Sequence, residues 1–442
     1  MKPQNYGILA GALMLLSAPL MAQNPIIRDN FSADPSAHVF NGRVYLYPSH
    51  DIPAPYDYNR KDWFCMADYH VYSSDNLVDW VDHGVIVDQS YVPWVGAHSY
   101  NMWAPDCNEK DGKYYFYFPA NNRIGVATSD TPYGPFRVDN QPIQGANGID
   151  PCIFIDDDGT PYLAWSGMGL QVARLKDNML ELDSEPVRIE GIPRGQTEGP
   201  FLFKRNGKYY YTFPWVEAER ETLAYCMSDS PLGPYEFKGK FMEQSETICW
   251  TNHHSFIELD GQWYLFYHHN DYSPYFDKNR SVCVDYVNFN DDGTIQMVIP
   301  TLRGVGVTKA SSEIQIDRYT DKSDKYVAVE FLNSDTPFDG WKAILWNTTQ
   351  EREPRWISYA RVDFGQAPAK VATMRVLSKA GGTVELRADA KDGPILATFN
   401  VPGKGVWTEQ SITTSETVSG VHDLYLLMTN GSHIEVDWVS FK

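Results

Sequence analysis

Five titratable residues recur at nearly one phase of this 442-residue chain. Asp34, Asp106, Asp150, Glu198 and His253 stand six to nine residues ahead of Gly42, Gly112, Gly159, Gly207 and Gly261, each of which follows Asn or Asp. Two of the carboxylates precede proline directly, as Asp34-Pro35 and Asp150-Pro151, and a third opens Glu198-Gly199-Pro200. A single Asp before Pro is a common turn starter. Three carboxylates in the same phase of a repeat are a set, and gathered at one place they cannot all ionise freely, so at least one pKa must rise. One protonated and one ionised carboxyl are what glycosidic-bond cleavage uses, the first to protonate the leaving oxygen and the second to activate water.

The elements that would position these groups show as a repeat. Phe40–Tyr47, Lys110–Tyr117, Asp157–Ala164, Arg205–Thr212 and Leu259–Phe266 each join a polar turn, a glycine and a strand rich in aromatic residues. Asn-Gly or Asp-Gly ahead of such a run signals a hairpin. The glycines lie 70, 47, 48 and 54 residues apart, close to the ~40–50 residues of a four-stranded propeller blade, with an insertion in the first. A second motif keeps the same phase, in Tyr72-Ser-Ser-Asp, Ala127-Thr-Ser-Asp and Cys226-Met-Ser-Asp, and fits the third strand. The chain is therefore expected to be all-β, with a five-bladed β-propeller over residues 24–310. The residues just ahead of each glycine form the innermost strand, which gathers the titratable groups at one end of the channel. Beyond a polar connector at 311–325, short alternating runs such as Thr383–Asp389 and His433–Phe441 predict a β-sandwich of jelly-roll type over 326–442.

Composition excludes several classes. Hydrophobic content of 43% with 21% charged residues is that of a globular chain and not a disordered one. A net charge of −20 opposes nucleic acid and anionic lipid. Lys2, an apolar run from Ile8 to Met21 and then Ala22 match a signal peptide over 1–22, too short to span a membrane. Export to the periplasm or the medium follows, with no membrane insertion. The six cysteines form no C-x-x-C pair, so they offer no zinc motif, and buried thiols or bridges both remain open.

Ser32-Ala-Asp34-Pro, Asn101-Met-Trp103-Ala-Pro-Asp106, Gly148-Ile-Asp150-Pro, Thr197-Glu198-Gly-Pro and Asn252-His253-His together resemble glycoside hydrolase family 43 over about residues 24–310. The resemblance implies an inverting hydrolysis with Asp34 as general base, Glu198 as general acid, and Asp150 orienting the acid and tuning its pKa. It places Arg280, Trp103 and Asp106 at the substrate. His253 matches a histidine near a channel calcium or water cluster, so a structural calcium is implied there, whereas the chemistry requires no cofactor. Trp356–Gly365, Gly382–Arg387, Gly420–Tyr425 and Asp437-Trp438 resemble carbohydrate-binding module family 6, in which Trp407 would be the stacking residue. Glu435 stands where that family often has a sugar-binding Asn.

The function expected is an exported exo-glycosidase on plant polysaccharide of the arabinan, arabinoxylan or arabinogalactan type. An α-L-arabinofuranosidase leads, followed by a β-D-xylosidase and an exo-β-galactosidase. The insertion Ile52–Met66, with Trp63, would wall a pocket and impose the exo mode. The competing class is a non-catalytic carbohydrate-binding protein, against which the presence of both Asp34 and Glu198 argues.

Overall fold

The computed structural model describes residues 24–442 apart from Ala97, Glu217, 245–247, Asp324, 333–340 and 348–352. The expected signal peptide lies outside the described residues. Five antiparallel sheets follow one another along the first two-thirds of the chain. Blade I comprises Phe31–Phe40, Arg43–Asp51, Asp68–Ser74 and Val81–Asp88, and blade II comprises Asp106–Lys110, Lys113–Ala120, Arg123–Ser129 and Arg137–Val138. Blade III comprises Ile149–Ile155, Pro161–Gly167, Gly169–Arg174 and Val187–Arg188. Blade IV holds Phe201–Arg205, Lys208–Val216, Glu221–Ser228 and Glu236–Met242, and blade V holds Ser255–Leu259, Gln262–His269 and Ser281–Val287.

The repeat glycines make the first hairpin of each blade. In blade I, Phe40 pairs with Arg43 across Asn41 and Gly42, whose φ values of 52° and 78° belong to a two-residue turn that matches strand twist. Blades II, IV and V repeat that geometry, whereas the Asp156–Thr160 turn of blade III is longer. The ring closes between blades I and V. Asp34 N–H donates to His268 Nδ1, Ala37 N–H to Ser255 Oγ, and Ile26 N–H to the Val282 carbonyl. Buried aromatic side chains, among them Tyr47, Phe116, Tyr117, Tyr211 and Phe213, fill the space between and within the blades. Each contributes roughly 1.5–3 kcal/mol of apolar burial, which fixes the blades and so the inner strands.

Two further sheets face each other over residues 308–441. One runs Thr308–Lys309, Arg355–Asp363, Val421–Gly431, Gly382–Ala388, Ile395–Val401, and the other Val327–Phe331, Trp341–Trp346, His433–Phe441, Val371–Leu377, Thr408–Thr413. The expected alternation is present: Val384, Leu386, Leu424 and Leu426 point inward while Glu385, Arg387 and Tyr425 stay half-buried on the outer face.

The polar connector over 311–325 is not what the chain forms. Ile314–Gln315 pairs with His433–Phe441 and Asp321–Lys322 pairs with Arg355–Asp363, so the stretch supplies strands to both sandwich sheets. Ile314 and Ile316, buried with Ala310 in the sandwich core, are the two apolar side chains that draw the polar segment in. The same stretch reaches back to the propeller, where Arg318 donates to the Asn24 carbonyl and to the Tyr272 hydroxyl.

Candidate active site

A pocket opens at one end of the propeller axis, where the inner strands begin. Its lining includes Asp34, Asp150, Glu198, Arg280, His253 and Trp103, with Trp63, Phe64, Met66 and Trp250 as apolar wall. Segment 52–66 therefore supplies three of the wall residues.

Asp34 is 6% exposed and sits at a bulge in the first strand of blade I, with φ of 47°. Ser49 Oγ donates to it at 2.7 Å, and Arg280 makes a two-pronged contact, Nη1 to Oδ1 at 2.8 Å and Nη2 to Oδ2 at 3.2 Å. Burial by itself would raise this carboxyl, but Arg280 first, then His268, His253 and Ser49, hold it down at about 2. Arg280, itself 3% exposed, is held from behind by Asp51, which accepts from its backbone N–H, Nε and Nη2 at 2.8–2.9 Å. Asp51 had no signal in the sequence, since it belongs to none of the repeated motifs.

The other carboxyls are pushed the opposite way. Asp150 (φ 55°) accepts from the Gly199 N–H at 3.0 Å, a bond that fixes the residue beside Glu198. Its pKa is raised well above the usual range by burial first and then by Glu198 and Asp34. Glu198, half-buried in the pocket wall, is raised by burial and by Asp34 and drawn partly back by a hydrogen bond with Glu221 and by Arg280. Gly199 has φ of 52°, and a Cβ there would stand 2.9 Å from His253 Nδ1, so only glycine lets the Glu198 turn pass this ring.

Glu221, the first residue of the third strand of blade IV, is 2% exposed. One of its oxygens, Oε2, accepts from Asn252 N–H at 2.5 Å, and burial followed by Glu198 raises its pKa well above the usual range. A hydrogen bond between the two carboxyls requires a shared proton, so whenever Glu198 is ionised the proton of the pair is on Glu221. No sequence signal marks it, because it opens the third strand five residues ahead of the Cys226-Met-Ser-Asp motif and belongs to neither repeat.

Trp103 lines the pocket, and its indole N–H, like that of Trp63, has no partner among the described residues. Asp106 does not reach the substrate space. It is 2% exposed and accepts from Ser36 Oγ, Cys107 N–H and Ile153 N–H while sitting 2.6 Å from His38 Nε2, so it ties the inner strands of blades I, II and III together. The cause is phase. Asp34 precedes its glycine by eight residues and Asp106 by six, and the residue eight before Gly112, Ala104, is the one in the pocket lining.

His253 is buried, its Nδ1 3.9 Å from Asp34 Oδ1, and burial and then Arg280 oppose its protonation while Asp34 favours it, with a net lowering. Calcium takes six to eight oxygens. The carboxylate nearest His253 is already clamped by Arg280, and no cluster of three metal-type donors among the described residues includes this histidine. The side chains around His253 therefore do not make a calcium cage. His254 faces away, with Nε2 2.6 Å from Thr212 Oγ1 and its ring against Phe241 and Phe256. All six cysteines are buried and free.

In the sandwich, Trp407 is half-buried with the Arg375 guanidinium 5.1 Å from its ring centre, and Arg375 also pairs with Asp437. No second ring stands against it among the described residues. Glu435 bonds Lys342 Nζ at 2.9 Å and His433 Nε2 at 3.1 Å, so both of its oxygens are engaged.

This geometry agrees with what the chain is similar to. The profile of the glycosyl hydrolases family 43 matches residues 22–295, and that of the carbohydrate binding module (family 6) matches residues 343–442. A xylosidase/arabinosidase 43A of Humicola insolens is 38% identical over 326 residues, 61% of this chain and 98% of the relative. Among solved structures, a family 43 β-xylosidase/α-arabinofuranosidase from a compost microbial metagenome, with xylotriose and in a calcium-free form, is 36% identical. It covers 63% of this chain and 98% of its own, with a TM-score of 0.57. An arabinoxylan arabinofuranohydrolase of Bacillus subtilis, solved with cellotetraose, is 26% identical and spans both units, 96% of this chain and 99% of its own, with a TM-score of 0.54. With the matched profile extending over most of the chain and a pocket floored by Asp34, Asp150 and Glu198, the protein belongs to glycosyl hydrolase family 43 and carries a family 6 carbohydrate-binding module behind its catalytic propeller.

Proposed function

We propose that the protein is an exported, inverting α-L-arabinofuranosidase that removes terminal arabinofuranose from arabinoxylan. The observation that carries the chemistry is the opposed tuning of two carboxyls in one pocket, Asp34 held low and Glu198 held high. Asp34, ionised, takes a proton from a water whose oxygen attacks the anomeric carbon. Glu198 gives its proton to the glycosidic oxygen as the carbon–oxygen bond breaks and the electron pair stays on that oxygen. Asp150 fixes the Glu198 turn through Gly199. Trp63 and Trp103 give the pocket apolar ring surface against which a sugar can lie, and the wall from segment 52–66 supports attack at chain ends. Arabinose is favoured because the two-unit architecture is shared with arabinoxylan arabinofuranohydrolases, 29% identical in Paenibacillus polymyxa over 92% of this chain. Export rests on the apolar leader at 8–21.

A panel of 4-nitrophenyl α-L-arabinofuranoside, β-D-xyloside and β-D-galactoside, followed by proton NMR of the first sugar released, tests this reading. The arabinofuranoside should be turned over fastest and release the β-anomer first. Preference for the xyloside would overturn the sugar assignment, and initial release of the retained anomer would overturn the mechanism.

Glu221 should act through Glu198. As the proton leaves Glu198, the hydrogen bond from Glu221 stabilises the carboxylate that forms. Glu221→Leu should lower turnover of an arabino-oligosaccharide at least tenfold more than that of the nitrophenyl glycoside, whose leaving group needs little protonation. Glu221→Gln, which keeps a donor, should recover most of the difference, and equal losses on both substrates would mean a structural role alone.

The sandwich is proposed to hold the enzyme on polymer through Trp407, whose half-buried ring carries Arg375 beside it. Trp407→Ala should reduce pull-down of the full chain on insoluble arabinoxylan several-fold, as loss of one aromatic platform does. Undiminished retention would assign the anchoring elsewhere.

A further inference from the structure

We propose that His50, Asp68 and His70 bind one divalent transition-metal ion of the zinc class, and that the ion clamps the two ends of the pocket-walling segment 52–66. The donors come from adjacent strands of blade I. His50 lies two residues ahead of the segment, and Asp68 and His70 follow it within four. Their ligand atoms all lie within 4.8 Å of one another, and all three residues are half-buried.

The spacing suits an ion. His50 Nδ1 stands 2.7 Å and His70 Nε2 3.8 Å from the same oxygen, Asp68 Oδ1. Two ligands on one zinc, with bonds of ~2.0–2.1 Å and tetrahedral angles, stand ~3.3 Å apart, so these two separations need to change by only about half an ångström. The hydrogen-bond pattern points the same way. His70 Nδ1 faces the carboxylate of Asp82 at 3.0 and 3.1 Å. A carboxylate only accepts, so Nδ1 donates to Asp82 and Nε2 is the ring nitrogen turned to Asp68. Across 3.8 Å Nε2 and Asp68 Oδ1 are too far apart for a direct hydrogen bond and leave room for a cation between them. One imidazole nitrogen donating to a carboxylate while the other holds the ion is how metal-binding histidines are oriented.

Two imidazoles and one carboxylate suit zinc, copper or nickel, whereas calcium and magnesium take oxygen. Three protein ligands leave the fourth position to water. On binding, the His50 proton moves from Nδ1 to Nε2 through solvent, freeing the Nδ1 lone pair. Joining the two ends of the segment restricts Trp63, Phe64 and Met66. A second group, His269, Asp271 and Cys283, lies close enough to Arg318 for its positive charge to act on Asp271, which opposes a cation there.

Full-length protein stripped with EDTA and dialysed against zinc chloride tests the site, with bound zinc counted by mass spectrometry. Wild type and Cys283→Ser should hold one ion per chain, and His50→Gln and His70→Gln none, with unchanged circular dichroism. Asp82→Asn leaves the three ligands in place and should keep one ion at an affinity ~10-fold or more weaker. No zinc on the wild type, or zinc retained by both histidine variants, overturns the site and leaves two ordinary His–Asp pairs. Trypsin cleavage after the exposed Arg60 or Lys61 reads the clamp. Zinc should slow it several-fold in wild type and not in His70→Gln, and an unchanged rate with zinc bound overturns the clamp.

Discussion

Asp34→Asn and Glu198→Gln should each lower turnover of arabinoxylan oligosaccharides by ~10²–10⁴-fold, because each removes a positioned proton acceptor or donor. Their stabilities should differ. Glu198 faces the pocket half-buried, and Gln keeps a group able to accept from Glu221, so Glu198→Gln should melt close to wild type. Asp34 is 6% exposed and takes both prongs of Arg280. Breaking a buried ion pair typically costs ~3–5 kcal/mol. The loss in Asp34→Asn should fall near or below the lower bound, since Arg280 keeps Asp51. Their substrate dependence should also diverge, with Glu198→Gln retaining more activity on a nitrophenyl glycoside than on an oligosaccharide, and Asp34→Asn losing both alike. Wild-type-like turnover in either folded variant would remove these residues from the chemistry.

The sequence exposes the architecture because the architecture repeats. A turn of two positive-φ residues is required between the first and second strand of most blades, so Asn-Gly and Asp-Gly return at blade spacing and mark the inner strands. Asp34, Asp150 and Glu198 were legible for that reason. The same counting misplaces Asp106, because two residues of phase separate the channel mouth, where Ala104 stands, from the contact between inner strands. What supports the catalytic groups was not legible. Asp51 and Glu221 lie on second and third strands, and their partners stand outside any shared motif, Arg280 being 229 residues from Asp51 and Glu198 two strands before Glu221. Burial beside a particular charge is a property of the closed ring and has no local pattern. The connector shows the opposite error, in which polar composition hid Ile314 and Ile316, two side chains sufficient to pull the segment into the sandwich sheets.

Arg280→Ala should destabilise the fold more than either Asp34→Asn or Glu198→Gln. Arg280 is enclosed between Asp34 and Asp51, and its removal leaves two buried carboxylates facing one another without a counter-charge. The expected loss is ~3–5 kcal/mol at neutral pH. The pH dependence follows from Asp34, whose folded pKa of about 2 lies below its ordinary value of 3.8. A depressed carboxyl contributes stability above its unfolded pKa and loses it as pH falls, so in wild type this contribution of roughly 2–3 kcal/mol fades between about pH 4 and pH 2. Without Arg280, burial raises Asp34 and carries Asp51, already raised by burial, higher still. The sign then reverses, and the variant should lose stability relative to wild type as pH rises through 4 and above. The acidic limb of kcat/KM should move upward with it, because the base must ionise before it can accept a proton. Arg280→Lys, which keeps the charge without the planar fork, should recover part of both effects. Urea denaturation at pH 3.5, 5 and 7, together with the pH profile of kcat/KM, measures both. If Arg280→Ala matches wild type at pH 7 and keeps its acidic limb, Asp34 is not held low by this guanidinium, and the base assignment loses its physical support.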